Sequence, residues 1–411
     1  MVKKKLARNF RLVFLVQALQ NVKILTIVVT LFYLYRGLTL AEVFYLSIIW
    51  SVASTLFEVP SSYLADRWGR KKTIILATVL YFLSTIIQLW AWDFNLFALS
   101  LFLYGLAYAC LTGTDEALVY DTERELSLGQ DGKSLKRLGN YFSAQRFFKI
   151  FAPVIGAIIA KDLLEQQYIS LIVIDSLFAF LAICVAFFIV EPNHHMDLEK
   201  KEAGILLDGV NLLKKNPLAR QAMFNRSLIF IGSLILWRYH QDFFTNLGIP
   251  IVVLGLVAGV SQGVMFLGNR RISKLTKHLP LYKSIDLFNF LSVASLVALL
   301  IIYLVYPSKY LILLFYSLFG ILEVLRWPLF SEYFNSISNS YNRATTLSLA
   351  SFVKGFLDIP LLFISGLLVV LNPIYPYILV LILVIFTSII FRLRDAGPLK
   401  PKSSYGSENN L

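Results

Sequence analysis

Unbroken runs of about 20 apolar residues recur along this chain, and no other feature constrains its fold as much. Each run is long enough to cross roughly 30 Å of hydrocarbon. Lipid offers a backbone amide no partner, so runs of this kind become helices or the strands of a closed barrel. Barrel strands alternate apolar and polar residues, whereas these runs are continuous, which decides for helices. Composition agrees. Of 411 residues, 57% are hydrophobic and only 15% are charged, where soluble domains carry about a quarter charged.

The runs predict an all-α membrane protein of about twelve transmembrane helices. In the first half they fall near 11–35, 41–64, 73–92, 95–120, 138–160 and 167–190. The second half gives 220–245, 250–270, 281–305, 309–333, 344–370 and 373–393. Residues 191–219 form the longest polar stretch and carry Lys200, Lys201, Lys214 and Lys215 around Ile205, Leu206, Leu207, Val210, Leu212 and Leu213. That pattern suits an amphipathic helix lying on a membrane surface. The expected organisation is a bundle over 1–190, a cytoplasmic linker over 191–219, and a second bundle with a short tail over 220–411. Such a layout fits a transporter built from two repeats.

The net charge of +13 raises the question of nucleic acid. Its distribution answers it: 29 of the 38 Lys and Arg fall in one set of alternate loops, three in the opposite set (Arg36, Lys161, Lys309) and six within helices. This is the asymmetry of a membrane protein with both termini cytoplasmic. The basic excess is a topology signal, and a nucleic-acid partner is not expected. Cys110 and Cys184 both lie in apolar runs, which argues against a disulfide framework or a zinc site. The basic N-terminus leads into an apolar stretch too long for a cleaved signal. No enzymatic module and no cofactor are expected.

After the second run comes Ser62-Tyr63-Leu64-Ala65-Asp66-Arg67-Trp68-Gly69-Arg70-Lys71-Lys72. This resembles the loop G-x-L-x-D-R-x-G-R-[KR]-x of the major facilitator superfamily, in its expected place between helices 2 and 3, with Ser62 at the leading Gly. The resemblance implies two six-helix bundles that rock about a midplane site. It implies a conformational gate of Asp66, Arg67, Gly69, Arg70 and Asp121: Asp66 against the start of helix 11, and Arg70 paired with Asp121 at the inner end of helix 4. Asp66 and Asp121 are then expected to bracket Arg70. The loop after helix 8, Gly268-Asn269-Arg270-Arg271-Ile272-Ser273-Lys274, is a degraded echo of it. In helix 5, Ala152-Pro153-Val154-Ile155-Gly156-Ala157 is similar to the G-P-x-x-G-G of exporters in this superfamily, with two glycines replaced by alanine. Small residues there let helices approach closely.

A charge in hydrocarbon costs several kcal/mol, so each one needs a partner or a watery cavity. In the implied fold, helices 1, 4, 7 and 10 line the cavity, and most of the intramembrane charge falls on them. Glu58, Asp115, Glu116 and Arg146 lie about 10 Å from the cytoplasmic helix ends at 1.5 Å per residue, and are expected in one polar layer. Lys23, Glu323, Arg326, Lys354 and Asp358 come nearer the midplane. Helical spacing pairs Lys354 with Asp358, Glu323 with Arg326, and Arg238 with Asp242. Glu58, Asp115, Glu116, Arg146, Glu323 and Asp358 are the candidates for proton coupling, since a carboxylate driven towards neutrality by burial can carry a proton. Lys23, Arg238, Asp242, Arg326 and Lys354 are the candidates for the substrate cavity. A fixed structural ion pair is the plainer reading of any single one. Asp175 stands apart, a charge on outer helix 6. Acids and bases balance, so the sequence gives no clue to the substrate's charge.

Other signals carry less. Gly132-Lys133-Ser134 ends like a phosphate-binding loop, but the first Gly would fall at Ser127 and no strand precedes it. His194 and His195 read as a solvated pair. His240 reads as a packing or capping residue more readily than a proton relay. Trp50, Trp90 and Trp92 read as interfacial anchors. The expectation is a proton-coupled secondary transporter of the plasma membrane, acting as a monomer and exporting a small amphipathic or drug-like molecule. A symporter importing a nutrient, a lipid flippase and a non-transporting receptor are the alternatives.

Overall fold

The computed structural model describes residues 5–126, 149–192, 216–337 and 343–395, and among these every regular element is a helix. Arg146 and most of the linker over 191–219 lie outside the described residues. We call the end of the molecule where the chain's first helix begins the inner end, and the opposite one the outer end.

The first apolar run is broken. Helix α1 (Asn9–Gln20) gives way to a 3-10 turn (Leu25–Ile27) and then to α2 (Val29–Tyr35). α3 (Leu40–Leu56) opens with a capping box, Thr39 and Glu42 each satisfying the other's backbone amide, and so ends two orphan donors. It bends by 44° into α4 (Glu58–Trp68). Pro60 explains the bend, because a proline nitrogen cannot donate to the carbonyl one turn back. Gly69, at φ +102°, separates α4 from α5 (Arg70–Trp90). α6 (Phe94–Leu111) starts at the side-chain cap of Asp93 and stops before Gly113, at φ +82°, beyond which α7 (Thr114–Glu125) continues the same apolar span. α8 (Lys149–Ile159) and α9 (Glu165–Phe187) follow.

After the linker, α10 (Pro217–Asn246) is capped by Asn216, with Pro217 in its first turn. Then come α11 (Ile251–Leu275), α12 (Leu281–Val305), α13 (Lys309–Ile337), α14 (Arg343–Leu371) and α15 (Tyr375–Ile390). Among the described residues, eight helices are long and apolar enough to cross a membrane, or nine if the bent α3–α4 pair is one span. α8 and α15 are shorter apolar helices. The expected continuous spans at 11–35 and 41–64 are interrupted, a correction that the breaks at residues 21–28 and Phe57 impose, whereas Phe94–Glu123 remains one span across its break at 112–113. Large apolar side chains such as Phe188, Leu304, Val305, Phe356 and Ile389 stand exposed. An apolar exterior of this kind fits a lipid solvent.

Helices α1–α9 pack mainly on one another, as do α10–α15. The two groups meet where α3 lies against α14 and where α2 lies against α10. One apolar core crosses that seam, joining Val28, Phe32, Phe44 and Leu46 with Ile231, Ile235, Tyr239, Leu362 and Val369. At the inner end the cores are separate. Val13, Ile74, Leu118 and Ile189 form one, and Met223, Ile285, Phe330 and Tyr333 form another. The two bundles are therefore sealed together towards the outer end and, among the described residues, share no apolar core at the inner end.

Candidate translocation pathway

The outer seal is polar as well as apolar. Breaking helix 1 leaves backbone groups without helical partners, and buried ones must find others. Gln241 of α10 supplies two of them from across the seam. Its side-chain oxygen accepts from the Thr30 amide at 2.8 Å, and its nitrogen donates to the Thr26 carbonyl at 2.8 Å. Asp175 of α9 supplies two more, accepting from the Ile24 and Leu25 amides at 2.8 and 3.1 Å. That explains a charge on an outer helix: it caps the broken helix rather than lining the cavity. Gly156 belongs to the same arrangement, since a Cβ there would stand 2.2 Å from the Ile24 carbonyl oxygen. The small residues of the exporter-like segment thus seat α8 on the break of helix 1.

Across the middle of the seam, the Ser51 hydroxyl of α3 donates to Asp358 of α14 at 3.0 Å. Lys354 pairs with the same carboxylate at 3.1 Å, one turn away, and lies 5.0 Å from the centre of the Phe230 ring. Glu58 lies within electrostatic reach of Lys354. Asp358 is fully buried. Lys23, at the break of helix 1, donates to the Tyr104 hydroxyl and lies 4.6 Å from the Tyr104 ring centre and 5.3 Å from that of Tyr81. Arg238 is half-buried beside the Trp237 ring and within electrostatic reach of Tyr33, Tyr104 and Asp358.

Two expected pairs do not form. Glu323 accepts from the Trp327 indole at 2.8 Å, while Arg326 reaches across to the Asn225 side chain of α10 at 2.7 Å. Arg238 and Asp242 form no ion pair within 4.0 Å among the described residues. Helical spacing makes such residues neighbours, but a better-placed partner on the next turn or the next helix wins. The expected polar layer is also only partial. Asp115 is buried and bonded to Gln17 of α1, whereas Glu116 is exposed. His240 stacks on Tyr316 with ring centres 5.4 Å apart, a packing role. Trp50 is no interfacial anchor: it packs inside the bundle against Tyr104 and Tyr108.

At the inner end, Arg70 and Asp121 form a buried ion pair. Asp66 does not bracket it. Asp66 is exposed, with no hydrogen bond or ion pair among the described residues, and Arg67 donates to Tyr63 at 3.3 Å. The start of helix 11, the expected partner of Asp66, falls on residues 338–352, whose side chains lie outside the described residues. A residue that sequence reasoning missed takes the place of Asp66. Glu191 accepts from the Arg70 and Lys71 amides at 2.8 and 2.7 Å, a carboxylate at a helix N-terminus where the dipole favours it. A side chain at Gly69 would meet that carboxylate at 3.2 Å. Asn9, also missed, bonds Thr122 and both backbone groups of Val190. The signal for Glu191 was its position, closing an apolar run just before Pro192.

These features define a multi-pass membrane protein whose two groups of helices share one apolar core towards the outer end, with charged side chains buried along the seam. Comparison with known proteins agrees. Residues 12–359 match the family described as Major Facilitator Superfamily, and the chain belongs to that superfamily, a family of membrane transporters. Its fold is similar to that of a solved nucleoside transporter, NupG in a mutant form, with a TM-score of 0.76 at 14% identity, covering 94% of this chain and 98% of that one. A D-xylose-proton symporter gives 0.74 at 11% identity, covering 96% and 98%. A bacterial homologue of the human lysosomal transporter Spinster, inward-facing and unoccupied, gives 0.70 at 12% identity, covering 94% and 96%. At these identities the likeness concerns the fold. No curated protein matches the chain by sequence.

Proposed function

We propose that this chain is a proton-coupled secondary transporter that works by alternating access and carries a small amphipathic molecule out of the cell. The observation behind this is the arrangement of the cores: one joins the bundles at the outer end, and two separate ones hold the inner ends apart. Two rigid bodies that share one seam can rock about it and open the other end.

In this reading the chain crosses the plasma membrane about twelve times. α8, α15 and the more highly charged α10 cross beside the longer apolar helices, and both termini lie in the cytoplasm. The inner end then faces the cytoplasm, and the structure is the inward-open state. Asp66, Arg67, Gly69, Arg70 and Asp121 act as the gate that locks the inner end when it closes. Asp358 is the leading proton carrier, being a buried carboxylate on the seam with Asp115, Glu58 and Glu323 behind it. Export rests on the helix 5 segment, whose small residues seat α8. The second reading is uptake of a nutrient with protons, favoured by the similarity of fold to a D-xylose-proton symporter and a nucleoside transporter.

Reconstitution in liposomes with a trapped pH-sensitive dye tests this. Substrate-dependent proton flux is expected on screening a mixed compound library, with protons moving against the substrate for export and with it for uptake. Silence across the library from folded protein would count against transport.

A further inference from the structure

We infer that the transported molecule is an organic anion, its negative group held between Lys23 of one bundle and Arg238 of the other. The inference rests on the transport reading above and narrows its substrate.

Lys23 and Arg238 stand on opposite bundles, and Tyr104 is near both: its hydroxyl accepts from Lys23, and it lies within electrostatic reach of Arg238. Neither cation has a carboxylate within 4.0 Å among the described residues. Lys23 rests on the Tyr81 and Tyr104 rings, and Arg238 on Trp237. Aromatic faces hold a cation without neutralising it. The Nε of Arg238 is buried with no acceptor among the described residues. A guanidinium nitrogen in that position calls for one.

The carboxylates nearest to them are already engaged. Asp175, near Lys23, spends its two oxygens on the Ile24 and Leu25 amides. Asp358, near Arg238, is taken by Lys354 and Ser51. Two cations without a carboxylate partner thus stand on opposite bundles, each near Tyr104, at a seam that must dehydrate as it closes, and an unneutralised charge costs more as the local dielectric falls. An anion between them offsets that cost with attraction to both bundles, which couples occupancy to closure. Carboxylate, phosphate and sulfonate groups all match, because each accepts several N–H donors. The partly buried Tyr104 ring beside Lys23 favours a flat, apolar body behind the charge. A cationic substrate would meet two cations, while the nearby carboxylates of Asp175 and Asp358 are already engaged.

The test is a matched series on purified full-length protein by titration calorimetry: naphthalene-1-carboxylate, 1-naphthyl phosphate, 1-naphthalenemethanol and 1-naphthylmethylamine, with inorganic sulfate alone. The two naphthyl anions are expected to bind, and the alcohol and amine to bind at least about 10-fold more weakly. Lys23→Gln and Arg238→Gln are each expected to weaken the anions roughly 10- to 100-fold, while Lys23→Arg and Arg238→Lys keep most of the affinity, which separates lost charge from lost fold. Equal binding of the alcohol or amine, no binding of any member, or anion binding unchanged in both Gln variants would overturn the assignment. Sulfate binding as tightly as the naphthyl anions would overturn its organic part. Liposome flux separates this inference from the reading beneath it. Gradient-driven movement of a neutral or cationic compound alone sinks the anion and leaves transport standing. Anion binding without flux of any compound does the reverse.

Discussion

Ser51 and Asp358, 307 positions apart in the chain, meet at 3.0 Å across the line where the two bundles touch. The bond belongs to the state in which the outer end is sealed, so removing it should favour the alternative. A neutral donor lost from a buried carboxylate costs about 1 kcal/mol, roughly a fivefold change in a two-state ratio. Ser51→Ala is therefore expected to raise the outward-open fraction, read as a shift in the distance distribution between spin labels on the two outer ends. Asp358→Asn removes the charge facing Lys354 as well. It is expected to retain substrate exchange and to lose gradient-driven accumulation, measured in the same liposomes. Unchanged accumulation would clear Asp358 of carrying the proton.

Asp66 and Asp121 should separate cleanly, though both belong to the signature loop's network. Asp121 is buried against Arg70, and removing one partner of a buried pair costs about 3–5 kcal/mol. Asp121→Asn is expected to lower the melting temperature and the yield of folded protein. Asp66 is exposed in this state, and a surface change of that kind moves stability by about 0.5 kcal/mol or less. Asp66→Asn is expected to melt with the parent protein yet turn over more slowly, with affinity nearly intact. Equal loss of affinity and turnover would remove Asp66 from the gate.

The helical spans were legible because hydrocarbon thickness fixes the length of an apolar run. So was the Lys354–Asp358 pair, where spacing on one helix sufficed. The breaks were not legible, since Asn21 to Val28 reads as part of one apolar stretch and nothing local marks its end. Missing the break hid the role of Asp175, whose partners are the very amides the break frees. Glu323 and Arg326 show a second limit. Spacing makes them neighbours on α13, but Asn225 and Trp327 decide where each one bonds. Glu191 escaped notice because its partners are backbone amides 120 and 121 positions away, which no pattern of side chains reveals.

Gln241 carries the outer seal's polar share, and its loss should be felt on one side of the membrane. Gln241→Leu leaves the Thr30 amide and Thr26 carbonyl without their partners. Each orphaned buried group costs about 1–3 kcal/mol. The variant is expected to melt earlier and to admit a membrane-impermeant thiol reagent from outside to a cysteine placed at Val28, which is fully buried in the parent. Protection of that cysteine equal to the parent's would show that the apolar core seals the outer end unaided.

Glycines on and off the seam offer a test of the two-body picture. At Gly255 of α11, a Cβ would stand 2.2 Å from that of Ala157 on α8, and 2.7 Å from the Pro153 carbonyl oxygen. Overpacking of this order costs about 1–3 kcal/mol. The clash lies between bundles, so parting them relieves it and leaves each bundle's own inner core intact. Gly255→Ala is expected to fold normally and to populate the outward-open state. At Gly156 the clash, 2.2 Å from the Ile24 carbonyl oxygen, lies within the first bundle, and no movement between bundles relieves it. Gly156→Ala is expected to lower the melting temperature without a shift between states. Gly263→Ala, with nothing within 4 Å of the added carbon, is the control, expected to be neutral or slightly stabilising through the entropy a mid-helix glycine loses. If Gly255→Ala unfolds the protein as readily as Gly156→Ala, the bundles are one packed body, and rocking about the seam is not how the cleft changes sides.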